Sequence, residues 1–123
     1  MRILIIEDNA VLSLTLEVMV KKMGFYDIEK AFSACEAIRL IDDFDPELLL
    51  VDINLDSEMT GIDVVKIAQK KRADLQVIYT TANSDIYHKE LAGETDYAGY
   101  LSKPLNYDIL NSTIQNLTVS KAV

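Results

Sequence analysis

The stretch LLLVDINLDSEMTG, residues 48–61, decides how the chain is read. Four apolar residues, Leu48, Leu49, Leu50 and Val51, run straight into Asp52, after which the sequence turns polar. Such a run reads as a buried strand, and a carboxylate at its end is costly to bury unless something pairs with it. Asp52 is therefore read as delivered to a site at the edge of the core. The other strands have to supply the rest of that site.

Working outward, short apolar runs alternate with longer segments of helical period. Ile3 to Ile6 is a strand, followed by a helix from Asn9 to Met23 whose apolar face is drawn through Leu12, Leu14, Leu16, Met19 and Met23. Gly24 ends it. A weak strand, Ile28 to Phe32, precedes a capping box of Ser33 and Glu36, then a helix carried by Ala34, Ala37, Ile38 and Ile41. That helix stops before Pro46. Beyond the loop from Ile53 to Thr60, Gly61 opens a helix through Ile62, Val65 and Ala68, and LQVIYTTA is a fourth strand rich in β-branched residues. A helix from Ser84 to Gly93, anchored by Ile86, Tyr87 and Leu91, leads to a short strand at Ala98 to Leu101. The last helix packs through Tyr107, Leu110, Ile114 and Leu117.

Five βα units imply a mostly parallel sheet covered on both faces, because parallel neighbours need crossover connections. With 123 residues the chain is one domain, divided here into residues 1–119 and a short tail, 120–123. The net charge of −8 argues against nucleic acid as a direct partner. No apolar run reaches the roughly 20 residues a membrane span needs. The single cysteine, Cys35, allows no internal disulfide and suits the cytoplasm.

In open α/β sheets, functional residues gather beyond the carboxyl ends of the strands. Here the first strand ends in Glu7-Asp8, the third in Asp52 with Asn54 close behind, the fourth in Thr80-Thr81, and the fifth runs into Lys103-Pro104. Three carboxylates, a hydroxyl and an ammonium converge from four parts of the chain. Carboxylates packed this closely repel unless a cation sits among them, and a hard divalent ion with oxygen ligands, Mg²⁺ before all, fits the set. No His or Cys is placed to favour zinc. His88 and Cys35 are read as a solvated surface residue and a packing residue.

IIEDN, LLLVD, VIYTTA and YLSKP, in that order, resemble the receiver domain of two-component response regulators over essentially the whole chain. The resemblance implies a single-domain (βα)5 flavodoxin-like fold with strand order 2-1-3-4-5. It also implies a signalling module rather than an enzyme. Asp52 is then the phosphoacceptor, with Mg²⁺ on Asp8, Asp52 and the backbone carbonyl of Asn54, and Glu7 acting through water. Lys103, aimed inward by a cis bond to Pro104, pairs with the phosphoryl oxygens, and Thr81 hydrogen-bonds them. Thr81 and Tyr100 form the switch, with Tyr100 turning inward on activation. The implied partners are a histidine kinase or phosphotransfer protein as donor, and a downstream protein or effector domain on the face of the fourth helix, fifth strand and fifth helix, where a homodimer is also an expectation.

Asp56 stands where many receivers have proline, and the loop to Gly61 is one residue longer than the common form. Asn54 and Asn83 occupy positions that tune dephosphorylation in the family. The competing readings are a receiver-like binding module whose output needs no phosphate, and a flavodoxin-like cofactor binder or phosphatase. The absence of a glycine-rich phosphate loop after the first strand weakens the nucleotide and flavin options.

Overall fold

The computed structural model describes residues 1–55, 59–82 and 86–122, with residues 86, 87 and 118–122 described by backbone only. Asp56 and Asn83 lie outside the described residues, as do the first positions of the helix expected from Ser84.

Five strands, β1 (Ile3–Ile6), β2 (Ile28–Ala31), β3 (Leu48–Asp52), β4 (Gln76–Thr81) and β5 (Gly99–Ser102), alternate with five helices. The helices are α1 (Ala10–Lys22), α2 (Ala34–Phe44), α3 (Gly61–Lys71), α4 (Ile86–Ala92) and α5 (Tyr107–Ala122). All strand pairs are parallel and the order is β2-β1-β3-β4-β5, as the resemblance implied. α5 continues through Ala122, past the boundary set at residue 119.

Central strands of such a sheet must be apolar on both faces, and this is why β1 and β3 read as unbroken runs. Every residue of both strands is buried. Alternate side chains feed two cores. Leu4, Ile6, Leu49, Val51, Val77 and Tyr79 pack with residues of α2 and α3. Ile3, Ile5, Leu48, Leu50 and Ile78 pack against Leu16 and Val20 of α1 and Leu110 and Ile114 of α5. The edge strand β5 is only partly buried, which suits its mixed sequence GYLS.

Caps set the helix starts. The Asn9 side chain accepts from the amides of Val11 and Leu12, and Gly24, at φ +101°, follows the last turn of α1. At α2, Ser33 caps Glu36 as expected, but the Glu36 carboxylate accepts from the amide of Phe32, one residue before the cap, at 2.8 Å. A reciprocal capping box stands instead at α3, between Thr60 and Asp63.

The face of α1 differs from the expectation. The buried residues are Ser13, Leu16 and Val20, whereas Leu14, assigned to the core, is 54% exposed. Apolar residues surround this helix, and a serine holds one of its buried positions, so periodicity alone does not fix its phase. Val11 and Val18 join Leu14 in the exposed apolar set.

Candidate functional site

The parallel register brings the four strand ends level. Glu7, one residue beyond β1, donates its amide to the carbonyl of Ala31, and β3 carries Asp52 opposite Thr80 of β4. β5 pairs Ser102 with Thr81, and the amide of Lys103 then donates to the Thr81 carbonyl at 2.7 Å. The peptide bond from Lys103 to Pro104 is cis. The four motifs therefore meet at one edge of the sheet because hydrogen bonding leaves them no other place.

Asp52 is 4% exposed. Its Oδ1 accepts from the amide of Asn54 at 3.0 Å, and its Oδ2 accepts from Lys103 Nζ at 3.2 Å. The same ammonium donates to Glu7 Oε1 at 2.7 Å, and Glu7 Oε2 accepts from the amide of Asn9 at 3.2 Å. Asp8 completes the group: one oxygen from each of Glu7, Asp8 and Asp52 lies within 4.8 Å of the others. Thr81 is fully buried at the end of β4. The hydroxyl of its neighbour Thr80 lies 3.5 Å from the Val51 carbonyl.

Electrostatics make this cluster unusual. Two ionised carboxylates 4.8 Å apart repel by about 3 kcal/mol at an effective dielectric near 20. Among the described residues, the Lys103 ammonium is shared between two of them, Glu7 and Asp52. Burial of Glu7, 1% exposed, pushes its carboxyl up to about 7 even though Lys103 and the Asn9 amide oppose the shift, and the neighbouring Asp52 adds to it. For Lys103, burial alone would lower the ammonium, but the hydrogen bond to Glu7 and the two carboxylate charges raise it above its ordinary value. Three carboxylate oxygens this close together fit a hard divalent cation. The donor set thus suits the expected ion.

Gly61 is part of this geometry. A Cβ there would lie 2.3 Å from the Asp52 carbonyl oxygen and 2.7 Å from Val51 Cγ1, so only glycine lets α3 start this close to the end of β3. The sequence reading placed Gly61 at a helix start and missed this contact. Only the packing of one backbone on another reveals it.

Tyr100 sits away from the charges, among other rings. It is half-buried, its hydroxyl oxygen is shielded from solvent, and its ring centroid lies 6.2 Å from that of Tyr79 and 6.0 Å from that of Tyr97. The side chain expected to turn inward on activation is thus already packed inward in this structure. No local pattern marks Tyr79 or Tyr97 as its neighbours, because Tyr79 lies within an apolar strand and Tyr97 in the segment before β5.

A doubly wound parallel sheet carrying buried carboxylates at the ends of β1 and β3, bridged by a lysine from the end of β5, defines an open α/β module with its polar cluster at the carboxyl ends of the strands. Residues 3–115 match the response regulator receiver domain, and the chain belongs to that family. It is 32% identical over 110 residues to the cell cycle transcriptional regulator CtrA of Caulobacter vibrioides, covering 88% of this chain and 46% of CtrA. It is 30% identical over 115 residues to the transcriptional regulatory protein YdfI of Bacillus subtilis, covering 92% of this chain and 53% of YdfI. The chain spans about half the length of these curated relatives. Among solved structures, a CheY-like receiver domain from Methanospirillum hungatei JF-1 superposes with a TM-score of 0.90 at 25% identity, over 98% of this chain and 95% of that one. Among the described residues, no helix is long and apolar enough to cross a membrane.

Proposed function

We propose that this chain accepts a phosphoryl group on Asp52 and uses it to switch a protein-interaction surface. The observation that carries the reading is the bridge of Lys103 Nζ to both Glu7 and Asp52, two buried carboxylates at the strand ends. An Asp52 carboxylate oxygen attacks phosphorus on a phosphohistidine of a kinase or phosphotransfer protein. A P–O bond forms, the P–N bond breaks, and the imidazole leaves with the bonding pair. Such transfers ask the protein mainly for positioning and charge neutralisation.

The amide of Asn54 fixes one oxygen of Asp52, leaving the other, now on Lys103, to become the nucleophile. Lys103 exchanges that carboxylate for the incoming phosphoryl oxygens, and the Thr81 hydroxyl donates to them. Glu7, Asp8, Asp52 and the carbonyl of Asn54 would hold Mg²⁺, Glu7 through water. Bound there, the ion supplies charge neutralisation and orients the phosphoryl oxygens.

Thr81 and Tyr100 carry the change to the face of α4, β5 and α5, where an effector or a second copy binds. The unit doing this is residues 1–119, working in the cytoplasm where the kinase presents its phosphohistidine. Thr81→Ala should leave phosphoryl acceptance largely intact and weaken the response on that face.

Titration with beryllofluoride, followed by tyrosine fluorescence and amide NMR shifts, tests the reading. A saturable, Mg²⁺-dependent change that is lost in Asp52→Asn is expected. A folded wild type that gives no response would instead favour a binding module whose output needs no phosphate.

A further inference from the structure

The α4–β5 connection, which carries one of the ring partners of Tyr100, is tied down at three points. Gln69 of α3 uses its side-chain amide as a strand would use its backbone: Nε2 donates to the Asp96 carbonyl at 2.7 Å, and Oε1 accepts from the Asp96 amide at 3.2 Å. One helical turn earlier, Lys66 pairs with Glu94. Thr95, between these ties, places its Oγ1 2.7 Å from the carbonyl of Ala92 at the end of α4 and 2.8 Å from the hydroxyl of Tyr79.

The direction of that relay follows from proton count. A carbonyl can only accept, so the single Thr95 hydroxyl proton goes to Ala92, and Tyr79 must donate to Thr95. Burial pushes the Tyr79 phenol up to about 12, against the pull of the Thr95 hydrogen bond, which keeps it a donor at any ordinary pH. A fully buried residue of β4 thereby holds the last turn of α4 through Thr95.

The segment so fixed carries Tyr97, whose ring meets Tyr79 edge-on at 5.6 Å. Tyr79 is also the register partner of Tyr100 across the β4–β5 pair. The two rings form a corner into which Tyr100 packs, while Lys89 of α4 lies 5.9 Å from the centroid of the Tyr100 ring. This packed arrangement coexists with Lys103 bridging Glu7 and Asp52.

We propose that Tyr79 and Tyr97, held in place by Thr95 and Gln69, are positioning residues that keep Tyr100 in its inward rotamer without help from a phosphoryl group. The inference rests on Tyr100 being the switch and adds what sets its resting position. The rings determine which way Tyr100 points, and the Asp52 site acts on a switch already biased inward. Activation therefore tightens an inward Tyr100 population that already dominates, and Thr81 and α4 carry the rest of the change.

The test uses the whole chain with fluorine-labelled tyrosines, the Tyr100 resonance being assigned with Tyr100→Phe. A soluble paramagnetic relaxation agent reports how exposed the Tyr100 ring is, first with neither Mg²⁺ nor beryllofluoride. Tyr100 should be protected in wild type and Tyr97→Phe. Its relaxation enhancement should rise about three- to tenfold in Tyr97→Ala, the population change expected from losing one aromatic pair. Gln69→Ala removes no ring and should raise it in the same direction, which keeps the proposal testable should Tyr97→Ala fail to fold. An exposed Tyr100 in free wild type, or equal protection in wild type and Gln69→Ala, would overturn the proposal.

Beryllofluoride and Mg²⁺ are then added as a separate arm. Tyr100 should change little in wild type and return inward in the variants. A wild-type ring that is exposed when free and protected only with beryllofluoride refutes the positioning role and leaves the switch standing. Protection that never changes in any variant on addition removes Tyr100 from the switch itself.

Discussion

The two ends of the sheet treat charge in opposite ways. At the amino end, Arg2 and Arg72 meet Asp45, Glu47 and Asp74, and both arginines also donate to backbone carbonyls, Arg2 to Asp45 and Arg72 to Pro46. These carboxylates are largely open to water, Asp45 at 60% and Asp74 at 80%, so solvent screens what the arginines leave uncompensated. At the carboxyl end, one lysine bridges Glu7 and Asp52, both almost wholly buried, and Asp8 lies beside them. The amino end clamps the left-handed turn at Asp45, where φ is +52°, and joins α2 to β3. The carboxyl end stabilises nothing comparable. Its crowded carboxylates, two of them buried, are the feature on which the proposed phosphoryl site rests.

The largest way to break this contrast is to neutralise Asp52. Asp52→Asn should reduce phosphoryl acceptance at least about a thousandfold, since the amide is no nucleophile. The same variant should be more stable than wild type in metal-free buffer, by about 1–2 kcal/mol in denaturant unfolding, because it relieves repulsion at a strained site. Lower stability for Asp52→Asn would mean that the cluster is balanced after all.

Next comes pH. The Glu7 carboxyl is raised from its ordinary range to about 7, so the folded chain holds a proton that the unfolded chain has released. Its contribution is in full force below about pH 4.5 and is lost as pH rises through about 7, amounting to about 3 kcal/mol across that window. Denaturant midpoints of the metal-free protein should therefore fall between these pH values. Glu7→Gln should flatten the slope, and an unchanged slope would assign the effect elsewhere.

Gly61→Ala sharpens the comparison from the backbone side. Its methyl group has no room against the Asp52 carbonyl, so a loss of about 2–3 kcal/mol is expected, with amide shifts centred on Asp52 and Asn54. The smallest effect belongs to the amino end. Arg72→Ala should cost about 1 kcal/mol and leave beryllofluoride binding unchanged, as suits screened pairs and one carbonyl bond. A variant there that altered ligand binding would tie the two ends together.

Much of this was legible in the sequence. Parallel strands buried on both faces must be apolar runs, so β1 and β3 announced themselves, and the convergence of Glu7, Asp8, Asp52, Thr80-Thr81 and Lys103 followed from the strand-end rule, the choice of Thr81 coming from the family resemblance. What escaped was whatever depends on contacts between elements. Leu14 was placed in the core because α1 is apolar nearly all round, and Ser13 conceals its buried stripe. The pairing of Lys103 with Glu7 joins residues 96 positions apart, and no local pattern encodes it. The neighbours of Tyr100 escaped as well: the β4–β5 register sets Tyr79 beside it, and Tyr97 reaches it from the segment before β5.

The most direct test of the central claim is to incubate the chain with Mg²⁺ and a reactive acyl phosphate, then map the modified residue by mass spectrometry. One phosphoryl group per chain, on Asp52, absent without Mg²⁺ and absent in Asp52→Asn, is the predicted result. A phosphoryl group on another residue, or none on a chain that binds Mg²⁺, would contradict the account.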